Sequence, residues 1–274
     1  MHAQPNHSGP LSAWLNGLLG VVIFSGSLPA TRIAVLAIIL IIGFGRRRPR
    51  AADLPALAIV SLGVVIGFPL LTAMALRQVT SAHSIVYLGL LPLSTAFFAV
   101  LRGGERPKKA FWIFSLLGSG LVMGFALSRS TFASLHGDLL MLAAILACGL
   151  GYAEGARLTR TLGGWQTISW ALILSLPAML VATIMTLPTS LHGIGGSAWL
   201  ALAYVSVFSM LAGFIFWYQG LAAGGIAAVG QLQLLQPFFG LALSAVLLHE
   251  SLSPGMVLVT FGVVLCVMAS RKFA

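Results

Sequence analysis

Chemistry in a protein starts from its acids, amides and aromatic hydroxyls, and this sequence is sparing with the first. Asp53, Glu105, Asp138, Glu154 and Glu250 are its five acids, and no two lie within several residues of each other. Chemistry that depends on Mg²⁺ asks for clustered carboxylates, so the pattern argues against it. Uncharged polar groups are better placed. Gln233 and Gln236 stand at i, i+3 and share a helix face, whereas Gln231 faces elsewhere. An amide both donates and accepts hydrogen bonds, which suits a zwitterionic solute without holding it by a fixed charge. The competing role for such glutamines is hydrogen bonding between helices. His83 and Tyr87 form an i, i+4 pair, with Ser94 seven residues beyond Tyr87. An aromatic wall there would favour apolar or aromatic solutes, and ordinary packing is the alternative. Trp217, Tyr218 and Gln219 follow Tyr204 and Phe208. Aromatic residues so placed suit either an interfacial belt or a surface on which a ligand stacks. Ser27 with His83 or with His192 is the nearest approach to a serine-nucleophile pair, and no motif supports it. Cys148 and Cys266 each lie within an apolar run and read as buried small residues rather than disulfide or metal ligands.

The elements that must position these groups are membrane helices. Of 274 residues, 59% are apolar and 7% charged, with mean hydropathy +1.03. Soluble domains carry about 25% charged residues, so this chain cannot make a watery surface. Runs long enough to span a bilayer extend over 56–76, 84–101, 110–127, 138–158, 166–187, 197–221, 227–248 and 254–269. Short linkers rich in Gly, Pro, Ser and charge join them, and no soluble domain is inserted. The stretch 11–45 is too long for one span and short for two. It is read as a tight hairpin interrupted near Pro29 and Arg32, with the chain shortened around Val35 and Leu36. The first twelve residues lack Lys and Arg, so no cleaved signal peptide is expected. The total is then ten helices.

Basic residues set the orientation. Arg46, Arg47, Arg48 and Arg50, then Arg102, Arg106, Lys108 and Lys109, then Arg157 and Arg160, then Arg271 and Lys272 fall on one side. Arg77 and Arg129 fall on the other. By the positive-inside rule both termini are cytoplasmic. The net charge of +10 is thus a topological signal rather than a nucleic-acid-binding face.

The chain also repeats itself. Gly89-Leu90-Leu91-Pro92 recurs loosely as Leu234-Leu235-Gln236-Pro237, and Glu105 and Glu250 each follow their proline by 13 residues. Ala75-Leu76 and Gly220-Leu221 precede the prolines by the same distance. In this register Tyr87 matches Leu232, and Val86 matches Gln231. Each half would hold five helices, and an odd number forces the halves into opposite orientations. Inverted repeats of this kind underlie alternating access in transporters. Pro92 and Pro237 remove a backbone hydrogen bond in the fourth helix of each half and are the expected hinges. Glycines at 118–120 and 149–155 are expected to permit close helix contact. Glu154, far along the sixth helix, has Arg157 three residues away as its partner.

Ten helices in two halves, a proline in each fourth helix, and the acids in Gly103-Gly-Glu-Arg-Pro107 and Leu248-His-Glu-Ser-Leu-Ser253 together resemble the EamA-type members of the drug/metabolite transporter superfamily. Within it the chain looks most like bacterial exporters of aromatic and other neutral amino acids. The resemblance implies an all-α integral membrane protein, with residues 1–129 and 130–274 as its two five-helix repeats. It implies export of a small neutral metabolite through a central cavity in a bacterial inner membrane, with no enzyme activity, cofactor, metal or nucleic-acid partner, by a protein read as a monomer in lipid. Substrate contacts are expected from Gln231, Gln233, Gln236, His83, Tyr87, Ser94, Trp217 and Tyr218. The alternatives are export of a drug or another metabolite, a channel, or a membrane-embedded enzyme.

Overall fold

A computed structural model describes residues 48–79, 84, 87–127, 134–186, 204, 208, 211–239, 242 and 254–274. The expected hairpin over 11–45, His83 and Glu250 lie outside the described residues. Among those residues the regular structure is helical, with no strand. Eight elements correspond to the third to tenth expected spans: α1 (Ala51–Ala75), α2 (Leu91–Gly103), α3 (Lys109–Leu127), α4 (Leu135–Leu162), α5 (Gly164–Thr186), α6 (Phe214–Gly224), α7 (Ile226–Phe239) and α8 (Pro254–Phe273). By length and composition α1, α4 and the Gly164–Val181 part of α5 can each cross a membrane unaided.

Local sequence sets the helix ends. Ser134 caps α4 by accepting a hydrogen bond from the Gly137 N–H at 3.4 Å. Gly104, at φ +70°, stops α2, and Gly225, at φ +91°, separates α6 from α7; both conformations strain a residue with a Cβ. Pro92 sits in the first turn of α2, directly after a turn at Gly89 and Leu90. The fourth span is therefore broken before the proline instead of bending through it.

α4 is the hub of the bundle and packs against α1, α2, α5 and α6. Its glycines allow this. A methyl group at Gly149 would collide with Ser94, one at Gly151 with Val64, and one at Gly155 with the Tyr218 ring. The expected close contacts over 149–155 are thus present. Gly118 likewise abuts Leu234 and Cys266, but Gly120 has nothing within 4 Å among the described residues, so there the 118–120 step serves contact at one position only.

Equivalent helices of the two halves meet, α2 with α7 and α3 with α8. They run in opposite senses. The C-terminal end of α2 touches the start of α7 through Glu105, and the Lys108 N–H, just before α3, donates to the Phe273 carbonyl at the end of α8. The repeat also extends to backbone irregularities. Residues 61–67 of α1 form a π-helical turn, and π geometry recurs at 208 and 211–213. Residues 208, 211 and 212 stand as far beyond 63, 66 and 67 as Pro237 stands beyond Pro92.

Candidate functional site

The site is assembled around α7. Because Pro237 has no N–H, the Gln233 carbonyl loses its ordinary donor one turn on, and the chain tightens to 3₁₀ geometry over Gln231–Leu235, with the Gln236 N–H turning back to Gln233. At three residues per turn Gln233 and Gln236 align on one face. Gln231 is fully buried and Gln233 is 4% exposed. Among the described residues the Gln231 amide has no hydrogen-bond partner, and the Gln233 amide has no well-formed bond, only the Tyr152 hydroxyl of α4 beside it. A buried polar group left in that condition costs about 1–3 kcal/mol.

An aromatic group from α4 and α6 lies beside them. Tyr152 is 6.0 Å from Phe214, 5.6 Å from Trp217 and 6.5 Å from Tyr218, measured between ring centroids. Its hydroxyl neighbours Cys148 and the Gln233 amide. The Tyr218 hydroxyl donates to the Gly151 carbonyl at 3.4 Å, and its ring fills the space that Gly155 leaves. Trp217 and Tyr218 are completely buried, which sets the belt reading aside for these two, since an interfacial anchor must reach the headgroups; Tyr204 and Phe208 are exposed. Tyr152 had no sequence signal beyond being an aromatic residue in a glycine-rich helix. Its place became visible only with the pairing of α4 and α6.

The other expected residues are distributed more widely. Gln236 is half-buried and engaged with neighbours. Ser94 is buried and donates to the Ile145 carbonyl at 3.2 Å, so it joins α2 to α4. Tyr87 packs with Ala75, Val79 and Met141 and faces Asp138, at the end of the bundle away from Glu105. Pro92 and Pro237 each adjoin the irregular turn of their own helix.

The end bearing Glu105 is strongly basic, and two of its three described acids, Glu105 and Glu154, meet basic groups there, while Asp53 accepts from the Arg50 N–H at 2.9 Å. Glu154, entirely buried, accepts from Arg157 Nη1 at 2.7 Å as expected, and also from Arg102 Nε across from α2. Glu105 accepts from the backbone N–H groups of Ile226 at 2.7 Å and Ala227 at 2.8 Å, with Arg160 3.5 Å away. The interior near the glutamines therefore presents amides, hydroxyls and rings without net charge. Both described thiols, Cys148 and Cys266, are free.

A helical bundle apolar enough for lipid, built from two antiparallel copies around uncharged polar groups, has the architecture of a membrane carrier. The profile of the EamA-like transporter family matches residues 21–126 and 135–270, and the chain belongs to that family. It is a membrane transporter and not an enzyme. It is 58% identical to "Uncharacterized transporter YdeK" of Bacillus subtilis (strain 168) over 281 aligned positions, covering 96% of this chain and 98% of that one. Those 281 positions exceed the 274 residues here, so the relative has residues that this chain lacks. "Uncharacterized transporter YyaM" of the same organism is 26% identical over 69% of this chain and 64% of its own length. A crystal structure of another protein shares the fold, with TM-score 0.73 at 17% identity, covering 95% of this chain and 94% of that one.

Proposed function

We propose that this transporter exports small neutral metabolites, specifically amino acids with apolar or aromatic side chains, by alternating access between its two halves. The observation that carries the reading is the pair of buried amides on α7, Gln231 without a partner among the described residues and Gln233 against the Tyr152 hydroxyl, beside the Tyr152 ring cluster. The amides supply donors and acceptors for an ammonium and a carboxylate, and the rings supply an apolar wall. A charged substrate would call for an unneutralised ion inside. The one fully buried acid among the described residues, Glu154, is already held by two arginines.

In this reading ten helices form two inverted repeats, residues 1–129 and 130–274, in a bacterial inner membrane. The basic end and both termini face the cytoplasm. Substrate binds in a central cavity, and tilting about Pro92 and Pro237 closes one end as the other opens. The approach from the first repeat is assigned to His83, Tyr87 and Ser94, and substrate binding in the second to Gln231, Gln233, Gln236, Trp217 and Tyr218. Purified protein in proteoliposomes should take up labelled phenylalanine, and Gln233→Ala or Gln236→Ala should lower that uptake while leaving the protein folded. Unchanged uptake by both variants would remove α7 from the site.

A further inference from the structure

We propose that Glu105 is the latch that holds the basic end of the pathway closed, and that its hydrogen bonds to α7 break and re-form once in each transport cycle. The proposal rests on the alternating-access reading above. A helix start is ordinarily capped by the side chain of the residue just before it. In α7 that residue is Gly225, which has no side chain, and the acceptor comes instead from Glu105, 121 and 122 residues away in the other repeat. The Ile226 and Ala227 N–H groups both point at its carboxylate, where the partial positive charge of the helix start favours an anion. Any movement that separates the two repeats at this end must uncap α7.

Three further observations suit a contact that opens. Gly104 and Gly225, both at positive φ, flank its two sides and can absorb backbone rotation without a Cβ clash. The Glu105 side chain is 19% exposed, so water can take over its hydrogen bonds when the latch parts. A cavity of about 450 Å³ lies against it, lined by Glu105, Arg106, Ala223, Gly225, Ala228 and Arg271. The cavity reaches along α7 only to Ala228, and from there to Gln233 the helix rises a further ~8 Å, so the closed end separates this cavity from the two buried amides. It occupies the place where a gate must be.

The test is the accessibility of position 95, which is fully buried, packs against Gly230 one turn beyond the capped N–H groups, and does not line the cavity. Thr95→Cys is made in a background that lacks both native thiols (Cys148→Ala, Cys266→Ala), the protein is placed in nanodiscs, and the rate of labelling by a water-soluble maleimide is measured. Glu105→Gln keeps one acceptor oxygen and loses the charge. Labelling at 95 should then rise about tenfold, equivalent to about 1.4 kcal/mol, while labelling of the already exposed Ala223→Cys stays constant. In the protein that retains Glu105, phenylalanine should raise labelling at 95. Glu105→Asp, too short to reach both N–H groups, should give a smaller rise of about threefold, and it decides the matter if Glu105→Gln does not fold. Equal rates at 95 in the folded variant and its parent would overturn the latch. If Glu105→Gln opens position 95 but phenylalanine changes nothing and does not cross proteoliposomes, the latch stands and the substrate reading fails.

Discussion

Replacing Gln233 by methionine separates a binding role from a packing role by the sign of its effect on stability. The side chain is 4% exposed, and its amide has no well-formed hydrogen bond among the described residues, only the Tyr152 hydroxyl beside it. Methionine has similar length and flexibility, so it fills the same space without a polar group to desolvate. Relief of an unmade buried hydrogen-bonding group returns about 1–3 kcal/mol. At about 2–4 °C per kcal/mol for chains near this size, the apparent unfolding midpoint should rise by about 2–12 °C. The midpoint is followed by intrinsic fluorescence in detergent at one scan rate for both proteins, since unfolding of such proteins is commonly irreversible. Uptake of labelled phenylalanine should fall about tenfold or more, the consequence of losing about 1.4 kcal/mol of substrate interaction. A lower midpoint would mean that the amide is structurally paired. A higher midpoint with undiminished uptake would mean that substrate never meets it. Either result refutes the assignment of Gln233.

Four other substitutions have definite outcomes. Gly155→Ala should lower the midpoint by the equivalent of about 1–3 kcal/mol, because the new methyl group meets the Tyr218 ring, whereas Gly120→Ala should leave it unchanged. Glu154→Gln strands Arg102 and Arg157, but those side chains are 47% and 43% exposed and can rehydrate, so destabilisation should reach about 1–3 kcal/mol and no more in thermal unfolding. Pro237→Ala restores a backbone donor to α7 and should regularise its 3₁₀ turn; the midpoint should hold or rise while the maximal uptake rate falls several-fold, and an unchanged rate would exclude Pro237 as a hinge.

The span pattern was legible because length and apolarity alone define it, and the spacing of Pro92, Glu105, Pro237 and Glu250 carried the repeat. The Glu154–Arg157 pair followed from helical spacing, and so did the close contacts over 149–155. Contacts between distant helices were not legible. In water an apolar stripe marks the face that packs, but in lipid both the packed and the lipid-facing sides are apolar, so periodicity does not say which helix meets which. For that reason Arg102 was missed as the second partner of Glu154, and the link from Glu105 to α7 was invisible. The burial of Trp217 and Tyr218 was masked by the same ambiguity, because an aromatic residue near a helix end fits an interface and a core equally well. Gly120 was misjudged for the complementary reason, since a glycine can face lipid as readily as a neighbour.

The central claim is that this protein carries small neutral amino acids by alternating access, and counterflow tests it most directly. Proteoliposomes are loaded in turn with each of the twenty amino acids and a few drugs, then given a trace of the same compound labelled outside, with and without a pH gradient. The account predicts saturable uptake for the apolar and aromatic amino acids, accelerated by unlabelled substrate on the opposite side. Flux that neither saturates nor responds to substrate on the opposite side, or a panel in which no amino acid crosses, would contradict it.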